Sequence, residues 1–161
     1  MIREIREGEV VPGANDRVIT LKKFQADFIR SAKRYPAMIM AWGTGKTMSL
    51  IERCRIDCER YAHNLGVIFR AELKDLLDST CKDFELCTGI KVNSERNANF
   101  PNGSQIMFRH AEELNNIQNI NLGFFGIEQA EELDSDTVFF MLQCRLRRLN
   151  VPHWGAVIGN P

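Results

Sequence analysis

The sequence has no apolar run approaching the length of a membrane span. Its first residues, Met1-Ile2-Arg3-Glu4-Ile5-Arg6-Glu7, are charged and lack the apolar stretch of a secretory signal. It has no net charge, because 21 Lys plus Arg balance 21 Asp plus Glu. That balance gives no global sign of a polyanionic partner. Any nucleic-acid contact must come from local basic patches or from further domains. Cysteines are few, 5 in all, and none form a CxxC pair. Such an odd, scattered set argues against a disulfide scaffold and for a reduced, cytoplasmic setting. Cys54 and Cys58 could share a helix face, but no suitably spaced histidine completes a metal site, so they read as buried thiols. There is no internal repeat and no low-complexity tract.

What is present fits one α/β domain with a real core: 161 residues, 44% of them hydrophobic. Residues 1–20, with Gly8, Pro12, Gly13 and Asn15, predict an irregular N-terminal arm, and 21–161 the domain itself. Leu21, Phe24, Phe28 and Ile29 recur at helical spacing over 21–34, before Pro36. Ala37-Met38-Ile39-Met40-Ala41 is a short continuous apolar run of the kind that forms buried parallel strands. A glycine-containing loop, 42–45, leads to a helix from Lys46 to about Asn64. Val67-Ile68-Phe69 predicts a second strand ending at Arg70, and 71–86 another helix. Over Ile90 to Phe108, β-type residues around Pro101-Asn102-Gly103 signal a hairpin. A polar connector, 111–121, precedes the apolar strand 122–127, which ends on Glu128. Acidic residues 131–136 then open a helix expected to reach about Leu149, with Arg145, Arg147 and Arg148 in its last turns, where cations suit the helix dipole. Ala156-Val157-Ile158 is a last strand before Gly159-Asn160-Pro161. Strands alternating with helices imply a mainly parallel sheet covered on both faces.

The strongest chemical signal is Gly43-Thr44-Gly45-Lys46-Thr47 between a strand and a helix. Nucleotide phosphates need many donors around a small anion. Glycines let backbone N–H groups approach, and a helix N-terminus adds a favourable field. Lys46 would reach the β- and γ-phosphates, and the Thr47 hydroxyl would ligate Mg²⁺. Met40 replaces the first glycine of the full phosphate-loop pattern, so the match is partial, and the alternative is a chance Gly-Lys-Thr at a helix start. A carboxylate at the end of another buried strand should complete the Mg²⁺ shell, and Glu128 supplies it. Glu131, Glu132, Asp134 and Asp136 read instead as a solvated helix start.

In order along the chain, these stretches resemble the N-terminal ATPase domain of phage terminase large subunits, the motors that package DNA into viral heads. Phe24-Gln25 resembles the family's adenine-contacting glutamine motif, and Ala41 to Thr47 its Walker A loop. Val67 to Arg70 resembles its strand ending in arginine, and Phe100 to Phe108 its hairpin. Gly126-Ile127-Glu128-Gln129-Ala130-Glu131-Glu132 resembles its Walker B segment, and Gly159-Asn160-Pro161 its coupling motif. The resemblance covers nearly all of 21–161 and implies a P-loop NTPase fold with ATP and Mg²⁺ as ligands. It implies ATP binding by Gln25, Trp42 and 43–47, metal binding by Thr47 and Glu128, catalysis by Lys46, Glu128 and Gln129, and coupling through Asn160. Gln129 stands where the family often has a catalytic glutamate; a glutamine can orient water but not take its proton. Trp42 and Gln118-Asn119 stand where arginines are common, so Arg70, Arg145, Arg147 or a neighbouring subunit must supply that positive charge. Trp42 either stacks on the nucleotide or packs beside the loop.

By the same resemblance the partners are double-stranded DNA, the portal and the small terminase subunit, in a homo-oligomeric ring, with no membrane. The setting is the cytoplasm of an infected bacterial host. The chain is expected to continue past residue 161, and the family's nuclease half lies outside these residues, so no DNA cleavage is expected. Two readings compete: a helicase-like DNA translocase, and a module that binds nucleotide without hydrolysing it, which Met40, Trp42, Gln118 and Gln129 favour.

Overall fold

A computed structural model describes residues 10–12 and 18–161. The rest of the N-terminal arm, 1–9 and 13–17, lies outside the described residues. What is described of the arm is two paired antiparallel strands, β1 (Val10–Pro12) and β2 (Val18–Thr20), in place of the irregular segment that composition predicts.

Next come α1 (Lys23–Arg30), β3 (Ala37–Ile39), α2 (Lys46–Arg60) and β4 (Leu65–Arg70). A short α3 (Leu73–Asp75) runs through a π-helical turn (Leu76–Cys81) into α4 (Lys82–Thr88). The chain continues through β5 (Asn97–Asn99), β6 (Gln105–His110), β7 (Phe124–Ile127), α5 (Thr137–Gln143) and β8 (Trp154–Gly159). Strands β3 to β8 form one six-stranded sheet in the order β3-β8-β7-β4-β6-β5. Every pairing is parallel except β5 with β6. This is the mainly parallel, helix-flanked sheet that the sequence predicts, with the hairpin in place: Gly103 turns at φ +82°, and Phe100 N–H bonds Ser104 O at 2.9 Å.

Successive strand residues face opposite sides of the sheet. Ile68, Phe108, Phe124, Ala156 and Ile158 pack under α1, α2 and α4. Val67, Phe69, Met107, Phe125 and Ile127 pack against Val138 and Leu142 of α5. Burial on both faces explains why the strands read as continuous apolar runs. Cys54 and Cys58 are fully buried in the first layer, and burial pushes both thiols well above their ordinary pKa. Among the described residues no helix is long and apolar enough to cross a membrane.

Two expectations need correction. The connector 111–121 contains a 3-10 helix, Ala111–Ile117. The helix expected to reach Leu149 is only α5, and the acidic stretch before it holds a separate 3-10 turn, Ala130–Glu132. The reason is a competing backbone pairing. Leu122 N–H donates to Arg145 O at 2.7 Å, and Arg147 N–H donates to Leu122 O at 3.1 Å. That bridge pulls 145–147 out of the helix and sinks Leu146 into the core.

Strands β7 and β8 meet through a close fit of rings over glycine. Phe124 stacks on Trp154 with centroids 4.9 Å apart, while Phe125 lies against Gly155. A Cβ at Gly155 would stand 2.1 Å from the buried Phe125 ring. Gly155→Ala should therefore lower stability by about 1–3 kcal/mol through overpacking, read by chemical denaturation. An unchanged midpoint would contradict this packing.

Candidate functional site

All five parallel strands run the same way, so the residues just past their C-terminal ends gather on one edge. The loop after β3 leads to α2 with Gly43 at φ +72° and Gly45 at φ +80°, left-handed angles that favour glycine. Gln25 braces this loop from behind. Its Nε2 donates to Thr44 O at 3.0 Å, while its Oε1 accepts from Lys22 N–H at 2.8 Å. A Cβ at Gly45 would lie 2.4 Å from that Nε2. Thr44 Oγ1 closes the loop onto Ala41 O at 2.9 Å.

Lys46 is buried, and its ammonium uses three donors. They reach Met40 O at 2.7 Å, Ala41 O at 2.9 Å and Asn160 Oδ1 at 2.9 Å. Asn160, just past β8, also donates through Nδ2 to Gln129 Oε1 at 3.1 Å and to Glu131. Glu128, at the end of β7, is only 3% exposed. Both its carboxylate oxygens accept hydroxyl hydrogens: Oε1 from Thr47 at 2.5 Å, and Oε2 from Thr80. Gln129 turns the chain at φ +51° and donates to Glu132 at 3.0 Å. Glu132 in turn accepts from Arg70 at 3.2 and 3.3 Å. Burial opposes the Arg70 charge, but Glu132, Glu128 and Asp75 more than offset it and hold its pKa above the ordinary value.

These groups surround a cleft of about 400 Å³ that includes Gly43, Lys46, Thr47, Arg70, Glu128 and Gln129 in its lining. Among the described residues no three His, Cys, Asp or Glu side chains form a ready metal cage. The hydroxyl of Thr47 beside the Glu128 carboxylate is nonetheless the sparse oxygen set that suits Mg²⁺, which keeps waters and takes further oxygens from phosphates. Lys46 and Arg70 supply positive charge on the same walls. The donor set thus fits a metal-bound polyphosphate.

Comparison with known proteins bears on the fold. No protein-family model and no curated protein matches the chain. Among solved structures, the large terminase of a thermophilic bacteriophage matches with a TM-score of 0.69 at 14% identity, over 86% of this chain and 39% of that one. A form of the same terminase in complex with ADP matches with a TM-score of 0.64. The HK97 bacteriophage large terminase gives 0.68 at 14% identity, over 97% and 36%. The Thermus phage P74-26 large terminase ATPase domain gives 0.59 at 15% identity, over 84% and 62%. The chain has the fold of a phage large-terminase ATPase domain. It spans less than two thirds of each of these neighbours.

Within this terminase fold the expected site residues divide clearly. Trp42, the 43–47 loop, Arg70, Glu128, Gln129 and Asn160 come together on one edge. Trp42 is 77% exposed, so it does not pack beside the loop. Gln25 is buried behind the loop with both amide ends bonded. Arg145 and Arg147 flank Leu122, which precedes β7, whereas Glu128 comes after it. They therefore sit at the opposite edge of the sheet, and Arg145 bonds Gln118 O. Glu131 and Glu132 sit in the 3-10 turn and not at the start of α5; Glu131 is exposed, as a solvated acid should be, but binds Asn160, and Glu132 binds Gln129 and Arg70.

Thr80 escapes a reading of motifs. A signal was present: it lies four residues from both Leu76 and Phe84, on the apolar stripe of its helix, where a hydroxyl needs a partner. Thr80→Val should cost about 1–3 kcal/mol of stability by leaving a buried carboxylate oxygen short of a donor, and Thr80→Ser should recover most of it. Equal denaturation midpoints for wild type and Thr80→Val would contradict the assignment.

Proposed function

We propose that this chain binds and hydrolyses Mg-ATP as the motor part of a DNA-packaging terminase large subunit. The observation that carries the reading is the Thr47–Glu128 contact, which joins the phosphate loop to the acid-bearing strand. The phosphate loop would cradle the triphosphate on the N-terminus of α2. Thr47 and Glu128 would hold Mg²⁺, which supplies charge neutralisation on the phosphate oxygens. Lys46 would exchange its bond to Asn160 for phosphate oxygens. Arg70, on the cleft wall, is this chain's candidate for stabilising charge on the transferred phosphoryl group. Gln129 would orient the attacking water without taking its proton. Gln25 would act by fixing the loop, and Trp42 is free to stack on a base. Release of Asn160 from Lys46 would be the first step coupling the site to movement of double-stranded DNA. Assembly into a ring on the portal with the small subunit, in the host cytoplasm, belongs to the same reading.

A second reading, nucleotide binding without hydrolysis, is favoured by Gln129 and by the distance of Arg145 and Arg147 from the cleft. Phosphate release and nucleotide binding, measured on wild type and Lys46→Ala, separate the two. The motor reading predicts Mg²⁺-dependent release that falls on the order of a hundredfold in Lys46→Ala. Tight binding with equally negligible release in both proteins would favour the binding module. Absence of nucleotide binding would overturn both.

A further inference from the structure

A second cleft, of about 710 Å³, exceeds the cleft of about 400 Å³ beside the phosphate loop. It opens between the end of α1, the end of α2 and the start of β8. Since β8 begins at Trp154 and Asn160 lies just past its end, the cleft is at the opposite edge of the sheet from Lys46. Five cations line it: Arg30, Lys33, Arg34, Arg53 and Arg60. Against them stands one acid, Asp57, already bonded to the Trp154 indole N–H at 2.8 Å.

This concentration is unusual in a chain whose charges balance overall. Among the described residues, none of the five forms a salt bridge. Like charges held together repel unless an anion joins them. Arg53 adds a second, independent sign. It is 7% exposed, lies over the Trp154 ring at 4.3 Å, and caps α1 through Phe28 O and Ser31 O. Its Nε has no partner, and burial lowers its pKa. A nearby anion would offset that cost.

We infer that this cleft is a phosphodiester-binding site that grips the backbone of duplex DNA. The choice of DNA rests on the motor reading; the anion chemistry does not. A protein partner fits less well, because apolar anchors dominate such contacts. Among the described residues the exposed large apolar side chains are Ile39, Trp42, Leu77, Leu86, Phe140 and Leu149, and none lines this cleft. Arg30, Lys33, Arg34 and Arg60 are exposed at its walls, so they can meet phosphates without unfolding anything. Contacts of this kind read the backbone and not the base sequence.

The test is fluorescence anisotropy with a 20-base-pair duplex of arbitrary sequence, titrated between about 50 and 200 mM salt. The proteins are wild type, a triple Arg30→Gln/Arg34→Gln/Arg60→Gln variant and the corresponding triple change to Glu. The triple Gln variant should bind at least tenfold more weakly at low salt. Its slope of log affinity against log salt should be shallower by roughly three, one counterion for each lost contact. Melting temperature and affinity for a fluorescent ATP analogue should stay unchanged in the Gln variant, which separates failure here from failure of the nucleotide reading. Tripolyphosphate, tested in a Lys46→Ala background, is the small-anion arm. Duplex affinity and salt slope unchanged in both triple variants, or no duplex binding by wild type, would overturn the inference. So would loss of a tripolyphosphate site with duplex binding intact.

Discussion

The buried carboxylate of Glu128 is the constraint on which the site turns. A charged or polar group so thoroughly removed from water is costly unless it is bonded. Here one oxygen takes the hydroxyl of Thr47, from the loop before α2, and the other takes that of Thr80, from the helix after β4. Three segments remote in sequence are thereby fixed to one functional group. The π-helical turn at Leu76–Cys81 fits this picture, since such turns occur mostly as local departures at functional sites. It carries Thr80 while Leu76 and Phe84 stay in the core.

A second chain of bonds runs beside the first. Lys46 holds Asn160, Asn160 holds Gln129 and Glu131, Gln129 holds Glu132, and Glu132 holds Arg70. In this arrangement the loop lysine is engaged by protein acceptors. Any anion that draws Lys46 away must leave Asn160 with an unmet acceptor, and so disturbs the groups linked to it. Asn160 thus joins the loop lysine to Gln129 and Glu131. It sits immediately beyond β8, whose other end begins at Trp154 on the wall of the basic cleft. One strand and one helix, β8 and α2, run from the edge that holds Lys46 to that cleft, an α2 of 15 residues spanning about 22 Å.

Much of this was legible because buried parallel strands announce themselves. The apolar runs at 37–41, 67–69, 122–127 and 156–158 became β3, β4, β7 and β8, and residues at the C-terminal ends of parallel strands must share one edge of the sheet. Hence Lys46, Thr47, Glu128 and Asn160 could be gathered in advance, although Lys46 and Asn160 are separated by 114 positions. Local pattern failed where a long-range bond overrode it. The stretch 131–149 has helical composition, but Leu122 captures the backbone at 145–147. Glu131 and Glu132 look like a solvated helix start until Asn160 and Arg70 are brought against them. Thr80 needed a tertiary partner to have meaning. Gln25 was expected to meet adenine, but in the fold its amide spends both ends on the chain itself. The basic cleft was hidden by a balanced charge count, because Arg30 and Arg60 lie on different helices and converge only in the fold.

The most direct measurement is a crystal structure of this chain with Mg²⁺ and a non-hydrolysable ATP analogue. The account predicts the triphosphate on the amides of 43–47, Mg²⁺ beside Thr47 Oγ1 and the Glu128 carboxylate, and Lys46 Nζ moved from Asn160 onto phosphate oxygens. A nucleotide bound elsewhere, or bound here with Lys46 still on Asn160 and Glu128 turned away from the metal, would contradict it.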